Sequence, residues 1–348
     1  MSTQAAWIPG ETPASRLGYL AAAATQEGAV LIFNPHAGQK LGINTNSGSI
    51  DDVQDALREQ GISVDPWPTQ AAGHATALAR QAAKEGRPLV VAAGGDGTVA
   101  EVAHGLAGTQ VPLGVMPLGS VMNVARTLCI PRELAMAARV IADGQTLRMD
   151  VGRQGEHHFL EAAGVGLDAG LFRLFNRIDR GNANPLDALR SGMRFLTRLG
   201  QPRLIVLGDG RRLETRAPMV VAANAKVVGA AYMLAPDARI DDGLLDVVVF
   251  RGASVPRLLL HLLATAGGRK VPPPPRTQTF RARSVEIRTR RALALPVHVD
   301  GEVRTSTPVQ IGIEPAALTV VVGTPDPDAL CAWDYASVPV PTTIGEPR

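Results

Sequence analysis

The chain has 348 residues, enough for two domains of ordinary size, and its 45% apolar and 19% charged content is that of a globular protein with material for a sizeable core. A net charge of +3, with neither an aromatic platform nor a concentrated basic stripe, argues against a nucleic-acid partner. Two cysteines, Cys129 and Cys331, make neither a disulfide framework nor a metal cluster and fit a reducing cytosol. The N-terminus lacks the features of a secretory signal, and no stretch approaches the ~18–20 apolar residues of a membrane span.

Residues 1–27 carry Pro9, Gly10 and Pro13 before an Ala-rich stretch and read as a mobile arm with at most one short helix. Residues 29–33, AVLIF, predict a buried strand that runs into the turn residues of NPHAG (34–38). Ser49 starts a helix with Ile50, Val53 and Leu57 on its apolar face, closed by Gly61. A short strand over Ile62–Trp67 leads to Thr69, and an Ala-rich helix over 71–85 stops at Gly86. The stretch 88–101, PLVVAAGGDGTVAE, changes from an apolar run to helical spacing at Val99, Val102, Ala103 and Leu106. It therefore predicts a strand, a tight loop and a helix with Thr98 as N-cap. Gly94, Gly95 and Gly97 let a ligand approach the backbone, and the open N–H groups of the helix start attract anions.

Leu113–Met116 is a further strand, followed by the loop PLGSVMNVAR (117–126); Pro131 is expected to open a helix at its first position and Gly144 to end it. Strands alternating with helices predict an α/β domain over 28–147 with a parallel sheet covered on both faces. From 148 to 324 strand-like runs dominate: Leu147–Val151, His158–Ala162, Leu204–Leu207, Met219–Ala223, Leu245–Phe250, Arg281–Ile287, Val297–Val299, Val309–Ile313 and Leu318–Val322. They predict a mostly antiparallel second domain, a β-sandwich or open barrel. Two helical insertions, residues 170–200 and Val255–Ala266, interrupt it, and a loose Pro-rich tail follows over 325–348.

Four stretches read together, NPHAG (34–38), GGDGT (94–98), PLGSVMNVAR (117–126) and the pair APDARIDDGLLDV (235–247) with VDGE (299–302), resemble the diacylglycerol kinase catalytic family of lipid kinases over roughly residues 28–323. The resemblance implies a Rossmann-like N-terminal domain and a β-sandwich C-terminal domain with ATP and Mg²⁺ in the cleft between them. It implies that Asn34, Pro35, His36, Ala37 and Gly38 hold nucleotide phosphates. Gly94, Gly95, Asp96, Gly97, Thr98, Val99, Ala100 and Glu101 would do the same, with Thr69, Ser120 and Asn123 as further contacts. No GxxxxGK[ST] is present, so glycine N–H groups and a helix terminus must do the cradling. An acid beside phosphate repels it unless a cation stands between them, which gives Asp96 a metal or metal-water role; capping the following helix is its bland alternative.

Alternation puts Asp300 and Glu302 on the same side of an extended segment, and the resemblance points to this motif for the general base, Asp300 first and Glu302 second. The plain alternative for the Asp-Gly pair is a hairpin turn. Bacterial relatives imply a structural Mg²⁺ at the turn 239–244, held by the Asp242 carboxylate and the carbonyls of Arg239 and Leu244, with Asp150 as an acid linked to the metal-water network. Two departures stand out. Ala37 replaces the serine of NPxSG, and Met122-Asn123 replaces the Asn-Asp of PLGTxND, so position 123 carries no charge. His36 reads more readily as a surface residue than as a catalyst.

The resulting expectation is an ATP- and Mg²⁺-dependent kinase acting on a lipid alcohol at a membrane surface. It would be cytoplasmic or peripheral at the inner face, with the basic, apolar 170–200 segment suited to an interfacial helix and a homodimer left open. Two other readings remain: a nucleotide-binding regulatory protein whose site Ala37 and Asn123 have weakened, and an NAD kinase-like enzyme sharing the GGDGT loop. The NPxxG start and DDGLLDV favour the lipid kinases over the second, and retention of Asp96, Asp300 and Glu302 argues against the first.

Overall fold

The structure is a computed structural model that describes residues 16–20, 28–35, 39–40, 43–44, 48–179, 190–191, 194–195, 199–229, 232–266, 269–290 and 293–325. The expectations for His36, Ala37 and Gly38, for the centre of the 170–200 segment and for the tail from 326 lie outside these residues. In chain order the first half runs β1 (Leu17–Tyr19), β2 (Ala29–Phe33), α1 (Ile50–Glu59), β3 (Val64–Pro68), α2 (His74–Lys84), β4 (Val90–Gly94), α3 (Asp96–Leu106), β5 (Leu113–Pro117), α4 (Asn123–Thr127), α5 (Leu134–Asp143) and β6 (Gln145–Gln154).

Strands β2, β4 and β5 are almost wholly buried, as strands covered on both faces must be. They pair in parallel in the order β3-β2-β4-β5. The chain leaves β2 toward one edge and returns at β4 toward the other, so the sheet has a switch point between β2 and β4. At such a point the loops diverge and leave a crevice at the carboxyl ends of the strands. The NPHAG and GGDGT loops begin at those two ends.

The helices follow the expected punctuation, with shifted starts. Ser49 caps α1 in a capping box with Asp52: Asp52 N donates to Ser49 Oγ at 3.1 Å and Ser49 N to Asp52 Oδ2 at 2.7 Å. Helix α2 begins three residues later than expected, after Gly73 at φ 82°. Helix α3 begins two residues before Thr98, with Gly95 as N-cap, so Thr98 lies inside the helix. Pro131 is not the first residue of a helix; α5 starts at Leu134 and ends, as expected, at Gly144 in the left-handed region. Helices α2 and α3 pack closely because position 105 has no side chain: a Cβ there would lie 2.6 Å from Ala79 Cβ and 2.7 Å from Thr76 O.

The second half runs β7 (His157–Phe159), β8 (Ala162–Gly166), α6 (Leu167–Asp179), β9 (Arg203–Gly208), β10 (Arg211–Arg216), β11 (Met219–Ala223), β12 (Leu245–Phe250), α7 (Val255–Thr265), β13 (Thr277–Ala282), β14 (Ser284–Thr289), β15 (Pro296–Val299), β16 (Glu302–Ser306) and β17 (Val309–Val321). Strands β13-β12-β11-β8-β15-β16 form an antiparallel six-stranded sheet. It packs on β9, β14 and the start of β17 through a second core that includes Val220, Val247, Val297, Leu204, Val206, Ile287 and Ile311.

Four expectations change here. The stretch 281–287 is two strands that break at Arg283, whose N–H donates to Asp209 Oδ2 at 2.6 Å, and the two strands belong to different sheets. The two runs 309–313 and 318–322 are one long strand, β17, with a register shift between Glu314 and Leu318. It pairs with β14 at one end and with β5 at the other, so an 11-stranded sheet runs through both halves of the molecule. Part of the N-terminal arm is a strand: β1 pairs with β6, and Arg16 is buried in an ion pair with Asp150. Finally, Cys129 is disulfide-bonded; the one other cysteine of the chain, Cys331, lies outside the described residues. A count of two cysteines gave no signal for this crosslink.

Candidate active site

The phosphate side is built from two loops pressed together. Gly95 caps α3 with open space around Gly97, and Gly119 of the PLGS loop touches it: a Cβ on Gly119 would lie 2.7 Å from Gly95 Cα. Only glycine permits this approach. Arg132 pins the second loop, donating to Ser120 O at 3.0 Å and Gly119 O at 3.1 Å. Gly94 is buried beneath the first loop, where a Cβ would meet Thr98 Oγ1 at 2.6 Å. Asp96 does cap a helix, though not its own: its Oδ1 accepts the Val124 N–H at 3.0 Å, at the start of α4. Burial raises its pKa.

The run Gly95–Glu101 is not one continuous phosphate loop, which corrects the expectation. Val99 is fully buried in the core. The Glu101 carboxylate accepts Gly73 N–H at 2.8 Å and Ala75 N–H at 3.2 Å, so it caps α2. It occupies a helix terminus that an anion would otherwise seek.

The base side is a hairpin. Val299 pairs with Glu302 across Asp300 and Gly301, both with positive φ, 44° and 81°. Asp300 and Glu302 are therefore not alternate residues of an extended segment; the turn itself presents Asp300. Its carboxylate accepts three backbone N–H groups, Leu160 at 2.7 Å, Glu161 at 2.9 Å and Ala162 at 3.0 Å. Burial outweighs these bonds and raises the Asp300 pKa to about 6. Below the turn, His298 Nδ1 accepts the Gly301 N–H at 3.2 Å, and Nε2 faces Asp168 Oδ2 at 3.0 Å. Gly164 makes room for that pair. Glu302 is half-exposed and paired with Arg304.

The two sides meet in one cavity of about 660 Å³. Asn34, Thr69, Gly95, Asp96, Gly97, Thr98, Gly119 and Ser120 line one wall, and Asp300, Gly301 and Glu302 face them. A second cavity of about 1110 Å³ adjoins it, lined by Ala100, His104, His157, His158, Arg173 and residues 302–306. Asp300 and Glu302 line both, as does Glu101. Pro35 is exposed outside these walls.

Asn123 is buried rather than open to the cavity: its Nδ2 donates to Glu161 Oε2 at 2.9 Å and to Gly229 O at 2.7 Å. Sequence reasoning missed Glu161. Its signal was an acid inside an apolar strand run, FLEAAGVG. Burial first, then the charges of Asp96 and Asp300, push its pKa well above the usual carboxylate range.

At the turn 239–244, Asp242 Oδ1 accepts the Leu244 N–H at 3.0 Å, while Asp242 Oδ2 and Asp246 Oδ2 are buried without a hydrogen bond. The nearby positive group is Arg281, at 3.7 Å from Asp242 and 3.5 Å from Asp246. Orphaned carboxylate oxygens of this kind fit a hard cation. Burial raises Asp242 to about 6. Asp150 is otherwise engaged than expected: Arg16, the Gly243 N–H at 2.6 Å and the Ala316 N–H at 2.7 Å take its oxygens, making it a clamp between three segments.

A switch-point crevice with glycine loops on one wall and a buried carboxylate on the other is where an open α/β sheet receives its ligand, and known proteins resemble this chain over both of its halves. The diacylglycerol kinase catalytic domain matches residues 28–154, and the YegS C-terminal NAD kinase beta sandwich-like domain matches residues 162–322. The diacylglycerol kinase of Staphylococcus haemolyticus (strain JCSC1435) is 27% identical over 275 residues, 78% of this chain and 81% of that one. That of Staphylococcus carnosus (strain TM300) is 26% identical over 275 residues, 78% and 87% of the two chains. A solved diacylglycerol kinase structure from Bacillus anthracis str. Sterne shares the fold, with a TM-score of 0.65 and 24% identity over 85% of this chain and 97% of that one. The chain belongs to the diacylglycerol kinase catalytic-domain family, with a YegS-like C-terminal domain. This is a kinase family whose members use ATP.

Proposed function

We propose that the protein is an ATP- and Mg²⁺-dependent lipid kinase that transfers the γ-phosphate to the hydroxyl of diacylglycerol or a related lipid alcohol such as a sphingoid base, working at the inner membrane face. The observation that carries this reading is that Asp300 lines both cavities and faces Gly95 and Gly97 across the smaller one. A triphosphate against the glycine loops and an acceptor hydroxyl in the larger cavity would then meet at this carboxylate.

In the step, the acceptor oxygen attacks the γ-phosphorus, its proton passes to Asp300, and the bond to the β-phosphate oxygen breaks to release ADP. The three N–H donors hold Asp300 in place, and a pKa of about 6 leaves it ionised at neutral pH yet basic enough to help. Gly95, Gly97, Gly119 and Ser120 present backbone to the phosphates. Mg²⁺ on the nucleotide would neutralise phosphate charge. A second, structural ion would be held at the turn of Asp242, with the carbonyls of Arg239 and Leu244 beside it. Among the described residues no helix is long and apolar enough to cross a membrane. Leu260 and Leu263 on α7, each 67% exposed, are side chains of the kind that rest on lipid.

The test is labelled ATP with a panel of lipids in mixed micelles. A phosphorylated lipid is expected, lost on chelation and restored by Mg²⁺. Asp242→Asn should remove the Mg²⁺-induced rise in Tm. Tight ATP binding without transfer to any lipid would sink the reading and favour a regulatory protein.

A further inference from the structure

Glu161 is 6% exposed and stands between the two acids that the kinase reading uses. Its own N–H donates to Asp300 Oδ1 at 2.9 Å, so its backbone helps hold the base. Its side chain turns the other way. Oε2 accepts the Gly229 N–H at 2.9 Å and the Asn123 amide at 2.9 Å. Asn123 is the first residue of α4, and the next N–H in that turn, Val124, donates to Asp96 Oδ1 at 3.0 Å. A single path of short hydrogen bonds thus runs from Asp96, through the first turn of α4, Asn123 and Glu161, to Asp300.

The choice of a carboxylate here has a cost. Glutamine has the same shape and could accept both bonds without bringing a third acid beside Asp96 and Asp300. A buried acid near two others is costly to ionise, so a carboxyl group kept here in place of an amide points to a role for that group in the bridge. The partner residue points the same way. Position 123, where the resembling motif has an acid, is an amide here, and the acid lies 2.9 Å away across a hydrogen bond. Two ionised acids in that contact would repel each other, so one acid and one amide form the complementary set.

We propose that Glu161 is a positioning residue of the phosphoryl-transfer site. Through Asn123 it fixes the Asp96 loop relative to the Asp300 turn, and it supplies the buried carboxyl group that position 123 lacks. The carboxyl group and its amide partner form one unit that can be exchanged between the two positions. This rests on the kinase reading above.

The test is a double-variant cycle in the full chain: Glu161→Gln, Asn123→Asp and both together. Each is measured for kcat on the best lipid of the panel, ATP affinity by calorimetry and Tm. Glu161→Gln should leave ATP affinity within about threefold and lower kcat at least about tenfold, since misplacing a reacting group by ~1 Å acts on the transition state. Asn123→Asp should lower both kcat and Tm. The double variant, with the carboxyl group moved across the hydrogen bond, should recover kcat to within about threefold of wild type, a coupling far beyond additivity.

Wild-type kcat in Glu161→Gln, or a double variant no better than the product of the singles, would overturn the proposal. So would a fall in Tm with kcat per folded molecule unchanged, the mark of a purely structural residue. Should Glu161→Gln not fold, the double variant decides alone. Should the wild type phosphorylate no lipid, the kinase reading fails first. The proposal, which rests on that reading, then falls with it, whereas a failed cycle in an active wild type overturns the proposal alone.

Discussion

Asp300 owes its character to opposing effects. Three N–H donors favour its charge, but burial wins and lifts the pKa from 3.8 to about 6. A carboxyl group whose pKa is raised by folding binds its proton more tightly in the native state. Its contribution to stability is therefore full below pH 3.8 and lost as pH rises through about 6. Activity as a base requires the ionised form and moves oppositely. We expect kcat/KM to fall as pH drops through about 6, and Asp300→Asn to lower kcat at least about 10²-fold with ATP affinity little changed. A pH–rate profile flat from 5 to 8, or an active Asp300→Asn, would remove Asp300 from this role. Most of the residue types were legible in the motifs. Their duties were not: Glu101 caps α2, Asp150 clamps three segments, and Glu161 escaped notice. Each depends on a partner far along the chain, which spacing alone does not reveal.

Among the elements, α2 and α3 decide the shape of the crevice. Gly105 lets them close, and Glu101 on α3 binds the start of α2, where Ala75 and, just before the helix, Ala72 line the cavity wall. Gly105→Ala must push Thr76 O or Ala79 aside. Overpacking of this kind costs about 1–3 kcal/mol, and the displaced α2 should also raise the KM for ATP. Urea unfolding and ATP-dependent kinetics check both, and an unchanged midpoint would show that the helices give way freely. The helical and strand periodicities identified most elements. Helix starts were misplaced by three residues at α2, α3 and α5, and two of the caps, Gly73 and Gly95, act through backbone conformation and lack a side-chain signature.

Over the whole molecule, β17 crosses both halves and ties β14 to β5, while β6 carries β1, β17 and β7. Neither half can lose this strand without exposing backbone groups of the other. Heat should therefore unfold the protein in one transition with equal calorimetric and van't Hoff enthalpies. Two resolved transitions would show that the shared strand does not couple the halves.

By itself the sequence determined the parallel α/β half, the antiparallel half, the glycine loops and the acids of the DGE turn. These follow from local rules: hydrophobic period, glycine placement and motif order. Only the tertiary structure decided that one sheet joins both halves, that Asp300 sits on a hairpin tip facing Gly95, and that Glu161 shares a bond with Asn123. Those facts arise from contacts between residues tens to hundreds of positions apart, and a linear pattern holds no term for such pairs.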